Sequence, residues 1–330
     1  MNRALRYLGS TRFTLLGMAA LALGAALSYD NPAGTPAWVL VVPLAALALN
    51  LLLAMCINPR IHRQWGLLGF HLGLLGVVVL AAIGRLTYME AHLELVTGSA
   101  FDAGELFDVR RGPWHDGGLQ QLQFVQGPYT VDYRAGMVRG RTHSQVHVAG
   151  PHGQWQPQDV GDDRPLRVHG YRFYTTFNKG FAPVLTWMAD GRPAVTGTVN
   201  MPAYPLFDFR QQNSWTPPGG RAIRFWLKLD TGRDDQRAWR LDVRTVSSRL
   251  IVNSDEQRIE LLPGQQVRLD GGVLRYDRLA AWMGYKLFYD PTLHALFAAA
   301  VFGILGLFVH YWRTMFRQPL PGADAGEHLQ

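Results

Sequence analysis

Cysteine is almost absent from the chain: Cys56 is the single one in 330 residues. The polar segment after residue 87 has none, so it holds no disulfide. There is no Cys-x-x-Cys, which excludes a thioredoxin-like reductant. There is no Cys-x-x-Cys-His, which excludes covalent haem attachment of the c type. A Walker loop, a Gly-x-Ser-x-Gly elbow and a His-Glu-x-x-His helix are missing, as are internal repeats and low-complexity stretches. The net charge is +7, yet the basic residues form no aromatic-interleaved cluster and no DNA-binding motif. The excess positive charge therefore points to membrane topology and an anionic lipid bilayer, with no nucleic acid partner.

What is present is apolar length. A membrane-spanning helix needs about 20 mostly apolar residues. Four runs qualify: Phe13–Leu27, extended by Gly9, Ser10 and Tyr29, then Trp38–Ile57, Leu67–Leu86 and Thr292–Trp312. Arg3, Arg6 and Arg12 precede the first, Arg60 and Arg63 separate the second from the third, and Arg313 and Arg317 follow the fourth. The loop Ser28–Ala37 has no Lys or Arg. The positive-inside rule then puts both termini in the cytoplasm and the large polar segment outside, in the periplasm of a Gram-negative cell. Trp38, Trp65, Tyr88, Tyr285, Tyr289, Tyr311 and Trp312 sit near the span ends, as interfacial aromatics do. Gly24 and Ala26 after an apolar core also fit a cleaved signal peptide. Retention as a span is the reading adopted here. Cys56, at the cytoplasmic end of the second span, reads as an ordinary small apolar residue.

The organisation expected is a three-helix transmembrane region (1–87), an extracytoplasmic domain (88–288), and a last transmembrane helix with a short cytoplasmic tail (289–330). The middle segment reads as all-β and sandwich-like. Alternation runs through Leu122–Val125, Tyr129–Tyr133, Gln145–Val148, Leu166–Tyr174, Val184–Trp187, Ile223–Leu229, Trp239–Val243 and Val267–Tyr276. Turn clusters separate these runs, among them Gly150-Pro151, Pro217-Pro218-Gly219-Gly220 and Pro263-Gly264. Asp162-Asp163 and Asp234-Asp235 read as turn chemistry and not as a catalytic dyad.

Of the eleven histidines, His115, His143, His147, His152 and His169 fall in the outer segment. His143 and His147 have metal-ligand spacing only on a helix, and here they sit in strand-like sequence, so they read as surface residues. His62 lies between arginines, His294 opens the last span, and His310 sits near its cytoplasmic end. His71 differs, because it lies inside the third span, where ionisable groups are costly and usually functional. Gly69, Gly73 and Gly76 form a smooth stripe beside it in sequence. A haem plane or a neighbouring helix could approach such a stripe. His71 is thus either an axial haem ligand or a residue hydrogen-bonded to another helix. His310 is a weak second candidate.

Four segments carry a resemblance to a known family. They are Leu8-Gly9-Ser10-Thr11-Arg12-Phe13; His71-Leu72-Gly73-Leu74-Leu75-Gly76, running on to Ile83-Gly84; Val168-His169-Gly170-Tyr171-Arg172-Phe173-Tyr174, with Gly180-Phe181-Ala182-Pro183-Val184; and Gly284-Tyr285-Lys286-Leu287-Phe288-Tyr289-Asp290-Pro291. In order and placement the chain resembles the ResB/CcsB family, one subunit of the System II cytochrome c synthase. The resemblance implies non-covalent haem b, its iron ligated by the third-span histidine, here His71. It implies a ResC/CcsA-like membrane partner and apocytochrome c, with a thioredoxin-like thiol reductant acting indirectly. It implies location in the bacterial inner membrane. The chain would be at most the accessory subunit of a holocytochrome c synthase, and it carries no catalytic residue of its own. It lacks the partner's tryptophan-rich signature and looks compact for the family. Two other classes stay open: a haem-binding electron-transfer subunit of a respiratory complex, with His71 and His310 as possible ligands, and a scaffold without cofactor.

Overall fold

The computed structural model describes residues 3–32, 34–150, 153–218, 220–254 and 257–316. Pro151, His152, Gly219 and Arg317, named above, lie outside the described residues. The chain forms two compact units. One is helical and comprises residues up to 89, 110–116, and 290 onward. The other is the β unit, 90–109 and 117–289.

The helical unit holds α1 (Arg3–Leu8), α2 (Thr11–Asp30), α3 (Trp38–Ile57), α4 (Pro59–His62), α5 (Trp65–Thr87) and α6 (Leu293–Phe316). Four of these, α2, α3, α5 and α6, are long and apolar enough to cross a membrane, at 20, 20, 23 and 24 residues. At about 1.5 Å per residue each reaches the thickness of a hydrocarbon core. Polar side chains fix where the helices begin. Ser10 sits at the N-cap of α2, its Oγ accepting from the Phe13 amide. Asn58 caps α4, with Pro59 in the first turn. Ahead of α6, the Thr292 amide and hydroxyl both donate to Asp290 Oδ1, at 2.8 and 2.7 Å.

The break between α1 and α2 is pinned from α3. Asn50, 4% exposed, donates through Nδ2 to the carbonyls of Leu8 and Ser10 and accepts from the Thr14 hydroxyl. Leu8 closes α1 and its carbonyl has no helical partner further on, so a buried amide on the neighbouring span supplies one. Gly9 brings this break within contact of Leu53 and Ala54. The first family-like segment thus has a packing role.

The β unit contains three antiparallel sheets built from β1 (Met89–Val96), β2 (Phe107–Arg111), β3 (Phe124–Arg134), β4 (Val138–Ala149), β5 (Trp155–Gly161), β6 (Leu166–Val168), β7 (Tyr171–Ala189), β8 (Val195–Thr198), β9 (Gln212–Trp215), β10 (Ile223–Asp230), β11 (Trp239–Asp242), β12 (Ser247–Ser254), β13 (Gln257–Leu261), β14 (Gln266–Leu269) and β15 (Gly272–Tyr289). The largest runs β2-β1-β15-β7-β6, with β14 added to β15 and β8 to β7. The others run β13-β12-β10-β9 and β11-β3-β4-β5. The all-β expectation holds, and two of the expected strands divide. Leu166–Tyr174 breaks at His169 and Gly170, whose φ values of 48° and 83° make a two-residue hairpin loop, so β6 folds back on β7. Val267–Tyr276 breaks at Asp270-Gly271, and β14 turns back onto β15.

The spine of the unit is the β7/β15 pair, continuous from Tyr171↔Tyr289 to Ala189↔Gly272 apart from two bulges. At one bulge, Tyr285 reaches across to β3 and β4. Its hydroxyl donates to Gln126 Oε1 at 2.7 Å and lies 2.8 Å from Ser144 Oγ, while Gln126 Nε2 donates to the same Ser144 oxygen. All three residues are buried. Tyr285→Phe leaves buried acceptors without a donor, a cost of about 1–3 kcal/mol. We expect the near-ultraviolet melting temperature of the full chain to fall by several degrees, with the helical content unchanged. An unshifted melt would show that the network carries no stability.

Candidate functional site

The third span begins at Trp65, and His71 follows about one and a half turns later. Its Nδ1 lies 2.7 Å from the Leu67 carbonyl, one turn back. A carbonyl oxygen can only accept, so Nδ1 carries the proton and donates it. The lone pair is then left on Nε2, and no described residue engages that atom. A ring fixed through one nitrogen to a backbone carbonyl, with the other nitrogen open, is the usual state of a metal-ligating imidazole. His71 is half-buried.

The glycine stripe resolves in favour of the neighbouring helix. It lies against α6 and leaves no slot for a flat ring. A Cβ at Gly73 would fall 2.4 Å from Gly303 Cα, and one at Gly66 would fall 2.5 Å from the His310 amide nitrogen. Across the same seam, a Cβ at Gly306 would meet the Phe70 nitrogen at 2.5 Å. The two helices meet backbone to backbone, as small residues in membranes allow. His71 is two residues from both Gly69 and Gly73, which at about 100° per residue puts it on the opposite side of α5. Its imidazole is therefore directed away from α6.

His310 is not brought to His71. Its backbone packs at Gly66, while its half-buried ring lines a pocket with Arg63 and Arg313. His71 lies five residues further along α5, about 7.5 Å in rise and most of a half-turn around. Several other described histidines have company of their own, among them His92, whose Nδ1 lies 3.6 Å from Asp108 Oδ2 in the β unit. His62 Nδ1 lies 3.3 Å from the Met55 carbonyl, and His115 Nδ1 lies 3.1 Å from the Thr87 carbonyl, within the helical unit. His143 pairs with Asp159 at 3.0 Å on the surface of the β unit, His294 is exposed in the first turn of α6, and His169 forms the left-handed turn. Among the described residues no three His, Cys, Asp or Glu side chains gather as a metal site.

Sequence reasoning missed Lys179. It sits in β7 at 2% exposure, with Nζ donating to the Thr176 carbonyl at 3.1 Å. Burial, and then the nearby Arg139 guanidinium, pull its ammonium down to about 7 against an opposing pull from Asp162. Nothing in Asn178-Lys179-Gly180 signals this, because the triplet reads as a turn. The folded value lies below the unfolded value of 10.5. Between the two the unfolded chain binds a proton that the folded chain does not, so stability rises with pH through that window. The slope is at most about 1.4 kcal/mol per pH unit. We expect the β unit to melt at a higher temperature at pH 9 than at pH 7, and Lys179→Met to abolish the rise. Equal slopes in both proteins would refute the assignment.

Residues 61–315 match the family described as ResB-like. No curated protein matches the sequence. Among solved structures the chain is similar to one titled "Cytochrome c Heme Lyase CcmF", at 13% identity and a TM-score of 0.28. That alignment covers 92% of this chain but 35% of the other, so the chain spans about a third of the length of the structure it matches. The family match is the broader finding. It runs from α4 through every strand of the β unit to the end of α6, more than three quarters of the sequence. The span bearing His71, its glycine seam with α6 and the long β7/β15 pair all lie inside it, and the chain belongs to the ResB-like family.

Proposed function

We propose that the chain is the ResB/CcsB-like subunit of a System II cytochrome c synthase. In this reading it handles haem b across the bacterial inner membrane together with a ResC/CcsA-like partner. In the same reading both termini face the cytoplasm and the β unit faces the periplasm, an orientation that the arginine distribution supports. One observation carries the proposal. His71 holds its Nδ1 proton on the Leu67 carbonyl and keeps Nε2 open, on the side of α5 away from α6. That donor chemistry fits haem iron. Among the described histidines of the spanning helices, His71 alone has its Nδ1 held by a carbonyl one turn back, so in this reading the second axial ligand comes from the partner.

When bound, haem supplies the vinyl groups to which apocytochrome thiols add. The chain's own residues bind and orient. Leu67 fixes the tautomer of His71, and the α5/α6 seam holds His71 at a constant depth. The β unit, free of cysteine, can support the partner without competing for the thiols that a thioredoxin-like protein keeps reduced. A two-histidine electron-transfer site within this chain is disfavoured, because His71 and His310 do not face each other.

Deleting the chain from a host that depends on it should abolish covalent haem staining of all c-type cytochromes. Cytochromes of the b type should persist, and the wild-type gene should restore staining. Normal c-type maturation in the deletion strain would refute the proposal. Quinol oxidation by the purified chain with maturation intact would favour the electron-transfer reading.

A further inference from the structure

We propose that the N-terminal end of α5 and the C-terminal end of α6 together form a binding site for the phosphate headgroup of an anionic phospholipid. This goes beyond the haem reading and does not depend on it. The two helix ends line an open pocket of about 500 Å³ formed by Arg63, Gln64, Trp65, His310, Arg313 and Thr314, together with Gly66. Gly66 lets the His310 backbone come into contact there, which brings the two helix ends together at the pocket.

No lining residue is acidic. The sequence has no Asp or Glu between Asp30 and Glu90, nor within α6. Among the described residues neither Arg63 nor Arg313 has an anionic partner. Two arginines lining one pocket, with no counter-charge among the described residues, favour an external anion. The Gln64 amide, the Thr314 hydroxyl and the first turn of α5, which no side chain caps, add donors. Charge shared over several oxygens, as in a phosphate, suits that many donors.

The ligand must also be amphiphilic. Trp65 is 78% exposed at the rim, and Phe308, Tyr311 and Trp312 are exposed on α6 beside it. These are side chains that sit at a membrane interface, next to acyl chains. A basic pocket between spanning helices is a known setting for acidic lipid headgroups. A soluble phosphate would leave the aromatic rim without a partner.

Native mass spectrometry of the full chain in detergent tests this, with equal amounts of phosphatidylglycerol and phosphatidylcholine. The wild type should retain phosphatidylglycerol over phosphatidylcholine roughly tenfold or more, from two surface-proximal arginines. Arg63→Gln/Arg313→Gln should lose that preference. Arg3→Gln/Arg6→Gln, an equal loss of charge on α1, should keep it. Equal losses in both pairs would reduce the effect to diffuse charge and overturn the site, as would retention in the first pair. A photoreactive phosphatidylglycerol on the wild type gives a reading that needs no variant. Adducts should map to 63–67 and 310–314, and adducts confined elsewhere would overturn the site. Displacement of the lipid by added haemin, with adducts lost from those segments, would assign the pocket to carboxylates and overturn the phospholipid proposal.

Discussion

Gly73→Leu should separate the third and fourth spans. At this position even a methyl group would lie 2.4 Å from Gly303 Cα, 2.5 Å from Gly303 N and 2.8 Å from the Ala299 carbonyl oxygen. All three are backbone atoms, so no rotamer change relieves the contact. The helices would have to move apart, undoing their backbone-to-backbone seam. Overpacking a fitted core commonly costs about 1–3 kcal/mol, and a leucine against backbone belongs at or above the top of that range. The expected result is a chain that accumulates poorly and is cut by protease between its spans. The same seam supplies its own controls. A Cβ at Gly69 would meet nothing nearer than 3.5 Å, so Gly69→Ala should be tolerated. Gly76→Ala, at 3.0 Å from the Ala299 methyl, should fall between. Normal accumulation and protease resistance of Gly73→Leu would contradict the packing.

His71→Ala should leave the fold alone and remove the function. Alanine is the best helix former, and the backbone carbonyl of Leu67 keeps its place in the helix without the imidazole. The chain should reach wild-type level in the membrane. Cytochrome c maturation, read as covalent haem per cell, should fall on the order of tenfold or more, since even second-shell partners of a metal ligand are worth that much. His310→Ala should change maturation little. If His71→Ala matures cytochromes normally at normal protein level, His71 is a packing residue and the scaffold reading gains.

The four spans were legible because bilayer thickness imposes a length that few other segments reach. The β unit was legible where one face of a strand is buried and the other wet, as in Ile223–Asp230. It was illegible where both faces are covered. Lys179–Trp187 is buried without interruption, so only Val184–Trp187 reads as a strand there and the single long β7 appears as two short pieces. His169-Gly170 and Asp270-Gly271 carried turn information that the flanking apolar residues masked. His71 stood out as a lone ionisable group in an apolar run, but its orientation needed the partner of the glycine stripe, and that partner lies more than 200 residues away in sequence. Asn50 could have been found by the same logic, as the single strongly polar side chain of the second span. The pocket at Arg63 and Arg313 could not, because it exists only once two distant helix ends meet.

The most direct measurement is the haem absorption spectrum of the full chain purified with its partner, as wild type and as His71→Ala, before and after added imidazole. The account expects a low-spin haem b spectrum in the wild type, loss of most haem or a shift of the Soret band in the variant, and partial return of both with imidazole, which supplies the nitrogen that Nε2 of His71 would have given. Full haem content with an unshifted spectrum in His71→Ala, at equal protein, would contradict it.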